Sequence, residues 1–224
     1  RFALFRDRVD AGRQLATRLQ QMNLPAPILV IALPRGGVPV AFEVAKALAA
    51  PLDVVIVRKI GAPDQPELAA GAVVDGDRPE IVMNDDIMRS LGLTQEWIEQ
   101  AAEKQLVEIE RRHRLYRAGR AKPPIAGHTV LVVDDGIATG ASVRAALTAI
   151  RRAKPLRLIL AVPVAPVDTA ANLAAQVDDF VCLDTPEPFW GVGGYYEDFS
   201  QTGDKEVIAL LEENAVSQTM PARE

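Results

Sequence analysis

Apolar and polar positions along the chain follow two rhythms, and the switches between them mark out the elements. Val9, Leu15, Ala16 and Leu19 recur at helical spacing among charged neighbours, which predicts an amphipathic helix over 7–20. ILVIAL at 28–33 is a short continuous apolar run and predicts a strand. VPVAFEVAKALAA at 38–50 returns to the helical period, and LDVVIVRKI at 52–60 predicts a strand that closes a βαβ unit. The alternation resumes with strands at 129–135, 156–165 and 179–184, separated by helices at 141–153 and 167–176. Such uninterrupted apolar strands are expected where helices cover both sheet faces. The pattern predicts an α/β fold, a doubly wound and mostly parallel sheet flanked by helices.

The middle of the chain breaks this rhythm. Glycines and prolines frame short apolar pieces in GAPDQPELAAGAVVDGD at 61–77, which predicts a mobile loop or ribbon, and EIVM at 80–83 predicts a short strand. Thr94 is placed to cap a long helix with Glu96 in its first turn, and Trp97, Ile98, Ala101, Leu106, Ile109 and Tyr116 trace its apolar face. This part is assigned to a small appended helical or hood subdomain, at about 77–125 with 185–203, within a single domain over 1–214 followed by a polar tail at 215–224. The six basic residues of RRHRLYRAGRAK at 111–122 suit a helix C-terminus and are read as a solvated face. His113 and His128 lack a partner pattern and are read as structural.

Charge and cysteine content narrow the chemistry. A net charge of -5 argues against a nucleic-acid binder, whose footprint is basic. The lone Cys182 excludes an intramolecular disulfide. No apolar run reaches the roughly 18 residues of a membrane span, and the opening residues lack a secretory core, so the chain is read as cytoplasmic. It opens at Arg1 rather than methionine, which leaves a further domain beyond this sequence open.

VLVVDDGIATGAS at 130–142 drives a strand into two aspartates and then into a turn with little side chain. Ligands of open parallel sheets sit beyond the carboxyl ends of the strands. There, Asp134 and Asp135 offer acceptors for hydroxyls or Mg2+. Backbone N–H groups around Gly136, Ala138, Gly140 and Ala141, with the Thr139 and Ser142 hydroxyls and a helix N-terminus, suit a phosphate. A ribose 5-phosphate unit needs both; an acidic strand end before an ordinary helix cap would carry the same residues. In LPRGGVP at 33–39, Gly36 and Gly37 expose N–H groups and Arg35 adds a planar cation, a receptor for a second anion.

VLVVDDGIATGAS resembles the phosphoribosyl pyrophosphate (PRPP) binding motif of type I phosphoribosyltransferases. LPRGGVP resembles that family's pyrophosphate loop, where a non-proline cis peptide often occurs, here at Pro34–Arg35; VRKIGAP at 57–63 is similar to its mobile catalytic loop. The resemblance implies transfer of the phosphoribosyl group from PRPP to a nitrogen nucleophile, with Mg2+, in a homodimer. It implies catalytic roles for Arg35, Arg58, Lys59, Asp134 and Asp135, and a PRPP site formed by Arg35, Gly36, Gly37 and the segment from Asp134 to Ser142. In EPFWGVGGYYEDFSQ at 187–201 it points to Phe189 and Trp190 for the acceptor and to Asp198 as a metal partner of Asp134 and Asp135. Two departures bear on the acceptor: Ala138 stands where 6-oxopurine enzymes carry an acid, and AVPVAP at 161–166 lacks their lysine. The alternatives are a PRPP-sensing regulator without turnover and an unrelated doubly wound phosphate-ester enzyme.

Overall fold

The computed structural model describes residues 3–75 and 78–220. Helix α1 (Arg8–Gln20) opens on Asp7, whose carboxylate accepts the Asp10 N–H at 2.8 Å. Strand β1 (Ile28–Ala32), helix α2 (Gly37–Leu48) and strand β2 (Leu52–Val54) follow as the first βαβ unit. Strands β3 (Val57–Ala62), β4 (Gln65–Asp75) and β5 (Pro79–Met83) come next, then helices α3 (Asp85–Ser90) and α4 (Gln95–Arg117). The alternating pattern resumes with β6 (Thr129–Val133), α5 (Ala141–Arg152), β7 (Arg157–Val164), α6 (Val167–Ala174) and β8 (Asp179–Asp184), and α7 (Asp204–Thr219) ends it. No helix among the described residues is long and apolar enough to cross a membrane.

The main sheet is parallel, in the order β2-β1-β6-β7-β8. Alternate residues of its strands feed two cores. Val30, Ala32, Leu131, Val133 and Ile159 pack with α1, α2 and α7, whereas Leu29, Ile31, Val130, Val132 and Leu160 pack with α5 and α6. Both faces are covered, which is why these strands carry almost no polar residue.

The expected strand over 52–60 is two strands in two sheets. β2 follows β1 only as far as Val54; the Ile56 N–H then bonds to the Asp75 carboxylate at 2.7 Å, and its carbonyl accepts the Asp75 N–H at 3.1 Å. That exchange draws the chain out of the parallel sheet and starts an antiparallel one, β3-β4-β5. The loop expected over 61–77 is accordingly a turn at Pro63 and Asp64 followed by β4, whose inner half is buried; Gly76 and Asp77 lie outside the described residues. The chain between β2 and β6 therefore forms a small sheet as well as helices, and that sheet begins at Val57.

The long helix is present as expected. Thr94 Oγ1 accepts the Trp97 N–H at 3.1 Å, and Ile98, Ala102, Ile109 and Tyr116 form the buried stripe. The polar tail is corrected in part. Residues 215–219 complete α7, whose Asn214 accepts the Leu52 N–H at 2.8 Å and donates to the Ala50 carbonyl at 3.0 Å. Residues 221–224 lie outside the described part.

Candidate active site

Parallel pairing of β1 with β6 brings Ala32 beside Val133, so the loops leaving the two strands emerge together. Asp134 and Asp135 stand at the end of β6. The Asp134 carboxylate accepts the Asp135 N–H at 2.8 Å, and the Asp135 carboxylate accepts Arg8 Nε at 3.0 Å. Burial pushes both carboxyls above the ordinary range. At Asp134 the neighbouring negative charge pushes further, and at Asp135 the Arg8 guanidinium pulls back.

The turn after the acids is held open by its own backbone. Gly140, at φ 79°, caps α5, and the Ile137 N–H bonds to the Val164 carbonyl at 2.9 Å. Thr169 Oγ1 and Arg144 Nη1 donate to the Ala138 and Thr139 carbonyls, at 3.2 and 2.9 Å. The first N–H groups of α5 have no partner within the helix, and the turn before them borders a hollow of about 160 Å³ lined by Asp134, Gly136, Ile137, Ala138, Thr139 and Gly140, with Ala141, Ser142 and Val143. The arrangement offers an anion cradle beside two acceptors.

The loop from β1 closes on the same place. Its Pro34–Arg35 bond is cis, as the resemblance implies. Carbon atoms added to Gly36 and Gly37 would press into the Asp135 and Asp134 carboxylates. Only glycine lets the two loops touch. Arg35 leans toward α7, with Nη1 3.7 Å from the Asp204 carboxylate, and its side chain is part-exposed.

A family model described as "Phosphoribosyl transferase domain" matches residues 9–199 of this chain. The chain belongs to the phosphoribosyl transferase domain family. A curated relative from Mycobacterium tuberculosis, "Putative phosphoribosyl transferase Rv0571c", is 50% identical over 210 residues. The alignment covers 93% of this chain and 46% of the relative, so the chain spans about half the length of the relatives it matches. Among solved structures, TT1426 from Thermus thermophilus is 43% identical with a TM-score of 0.82, covering 93% of this chain and 98% of that one.

Within this phosphoribosyl transferase fold the remaining candidates separate. Arg58 and Lys59 are successive residues of β3 and point to opposite faces. Arg58 Nε donates to Gln105 of α4 at 3.0 Å, whereas Lys59 lines a cleft of about 510 Å³ between the small sheet and Ala141 and Arg144 of α5. The structure does not bring the two together. Phe189 packs on Tyr195, with ring centroids 5.4 Å apart, in a small cluster with Phe5 and Tyr196; Trp190 is exposed. Val192 lies against Gly136, which places this loop beside the phosphate turn. Asp198 is exposed and accepts the Ser200 N–H at 2.9 Å and the Ser200 hydroxyl. Among the described residues no group of three His, Cys, Asp or Glu side chains is arranged to hold a metal ion, so Asp198 does not join the aspartate pair.

Three residues went unassigned in the sequence. Arg8 pairs with Asp135 across 127 positions, Tyr196 Oη donates to the Asp135 carbonyl at 2.6 Å, and Phe199 lies under Arg8. For Tyr196 and Phe199 the signal was the aromatic stretch itself, whereas Arg8 carried none. The basic helix end is also corrected. Arg111, Arg112 and Arg114 do pair with Glu108 and Glu110 along α4, but Arg117 is buried and makes two 3.0 Å bonds to the Asp53 carboxylate. Arg117 also donates to His113 Nδ1 at 2.7 Å, and His113 Nε2 meets the Asp75 carboxylate. His113 is structural, as expected.

Proposed function

We propose that this chain transfers the 5-phosphoribosyl group of PRPP to a nitrogen nucleophile, a nucleobase or related acceptor, releasing pyrophosphate. The observation that carries the reading is the contact of the acid pair with the Gly36–Gly37 loop at the mouth of the phosphate turn. Two anion receptors and two hydroxyl acceptors thereby share one concave surface, the pattern that a phosphorylated sugar diphosphate demands.

In this reading the N–H groups from Ala138 to Ser142 hold the 5-phosphate, and Asp134 and Asp135 accept the ribose hydroxyls. The loop at Arg35, Gly36 and Gly37 receives the pyrophosphate, joined by Lys59 when the β3–β4 hairpin approaches. The acceptor nitrogen forms a bond to C1 as the C1–oxygen bond breaks. The electron pair leaves on the pyrophosphate, and the acceptor's proton passes to water. Ala138 supplies no carboxylate for that proton, which weighs against 6-oxopurine acceptors. The acceptor ring is assigned to Trp190, which is exposed on the 187–201 loop.

The donor set fits Mg2+. Two adjacent, largely buried carboxylates meet here, one of them paired with Arg8, and hard oxygen donors suit an ion that keeps most of its waters. Bound with PRPP, Mg2+ would neutralise charge on the leaving pyrophosphate. Asp134 and Asp135 are the residues that would hold it, through its waters and the ribose hydroxyls. A homodimer and a cytoplasmic setting belong to the same reading.

One observation favours the PRPP-sensing alternative: Arg58 is turned onto Gln105 and Arg35 toward Asp204, away from a common anion. Calorimetric titration with PRPP and Mg2+, followed by nucleobases with detection of pyrophosphate, separates the two. Binding with release establishes a transferase and names its acceptor. Binding without release from any base favours a sensor or an acceptor outside the nucleobases, and failure to bind PRPP sinks both.

A further inference from the structure

Residues 4–8 run against 195–200 as a clasp. The Leu4 and Phe5 N–H groups both donate to the Tyr195 carbonyl, at 2.9 and 3.1 Å, and the Phe5 and Arg6 carbonyls accept the Glu197 and Asp198 N–H groups at 2.9 and 2.8 Å. Arg8 sits where this clasp meets the acid pair. Its Nε donates to Asp135 Oδ2 at 3.0 Å, its Nη1 donates to the Ser200 carbonyl at 2.5 Å, and its guanidinium lies 4.0 Å over the Phe199 ring. Its side chain is 12% exposed. A carbon built on Gly36 would lie 3.2 Å from Arg8 Nε, so the anion loop abuts the same group.

We propose that Arg8 is a positioning residue for Asp135, a role that rests on the phosphoribosyl transfer reading above. A buried carboxylate has several rotamers, and its oxygens serve a ribose only if one is aimed. The planar fork of Arg8 aims it by donating to Oδ2, which fixes where the second oxygen lies. Because the second arm of the fork holds the Ser200 carbonyl, the 187–201 loop carrying Trp190 is fixed to the same carboxylate. The ribose acceptors and the acceptor-side loop are thus set at a constant separation by one side chain from the first turn of α1. Tyr196, on the Asp135 carbonyl, holds the backbone of that residue from the same clasp.

The test is calorimetric titration of PRPP with Mg2+ into the wild-type chain, R8M, R8K, D135N and R8M/D135N, each checked by thermal melting. The expected result is PRPP binding by the wild type, a loss of at least about tenfold in R8M, and recovery of most of that loss by R8K, which restores a donor to Asp135. The double variant is expected to bind PRPP within about twofold of D135N, because the effect of Arg8 on the ribose site passes through that carboxylate. R8M binding as tightly as wild type, R8K no better than R8M, or additive losses in the double variant each overturn the role of Arg8 while leaving the transfer reading intact. A wild-type chain that does not bind PRPP overturns both.

Discussion

Gly36 has an ordinary helical backbone, φ -60°, so its lack of a side chain answers a need for space and not for an unusual conformation. A methyl group there would overlap the Asp135 carboxylate. Gly36→Ala is therefore expected to cost about 1–3 kcal/mol of stability and to remove PRPP binding, read by thermal melting and calorimetry. The acid pair responds differently. Burial raises both carboxyl pKa values, so their charge opposes folding, and the neutral double variant D134N/D135N is expected to melt no lower than wild type while losing Mg-dependent PRPP binding. A clear drop in melting temperature, or retained affinity, contradicts that assignment. That the acids, the glycine turn and the Arg35 loop lie at strand ends was legible in the sequence, because each is a local string between an apolar strand and a helix. Arg8 was not, since nothing near it names a partner 127 positions away.

The elements were legible to the extent that their environment is uniform. β1, β6 and β7 are apolar along almost their whole length because both faces are covered, and α4 shows its cap and stripe plainly. The 52–60 run failed as one strand because its apolar residues serve two sheets, and the partner that divides it, Asp75, comes nineteen residues after Ile56. The helix end at 111–122 misled for a related reason: Arg117 is one cation among several in sequence, yet it is the one facing Asp53 on β2. Removing it by Arg117→Met leaves Asp53 buried without its partner, with an expected loss of about 3–5 kcal/mol in denaturant unfolding. The same substitution at the exposed Arg114 is expected to cost under about 1 kcal/mol.

At the scale of the whole molecule, Asp75 and His113 join the small sheet to α4 and set a pH dependence. Burial pushes Asp75 up to about 7 and, with Arg117 alongside, pushes His113 down to about 4. From about pH 4 to 6.5 the folded pair holds a protonated Asp75 and a neutral His113, while the unfolded chain holds the reverse. The proton counts match and the two slopes cancel. Single variants uncover them. In H113Q the raised Asp75 remains, and stability is expected to fall as pH rises from about 4 to 7. In D75N the lowered His113 remains, and stability is expected to fall as pH drops from 6.5 to about 4. Urea unfolding at several pH values checks this, and slopes of the same sign in the two variants would contradict it.

The sequence by itself determined the parallel α/β layering and the residue types of the acid pair and of the glycine-containing turn that follows it. Hydrophobic period, glycine placement and strand-to-helix order are local properties that survive without coordinates. The tertiary structure alone decided which of those residues face one another. It placed Gly36 and Gly37 against the aspartates, set Arg58 and Lys59 on opposite faces of β3, kept Asp198 apart from the acid pair, and brought Arg8 to Asp135. Those are contacts between segments far apart in the chain, and they follow from strand register and loop packing, which no short string of residues encodes.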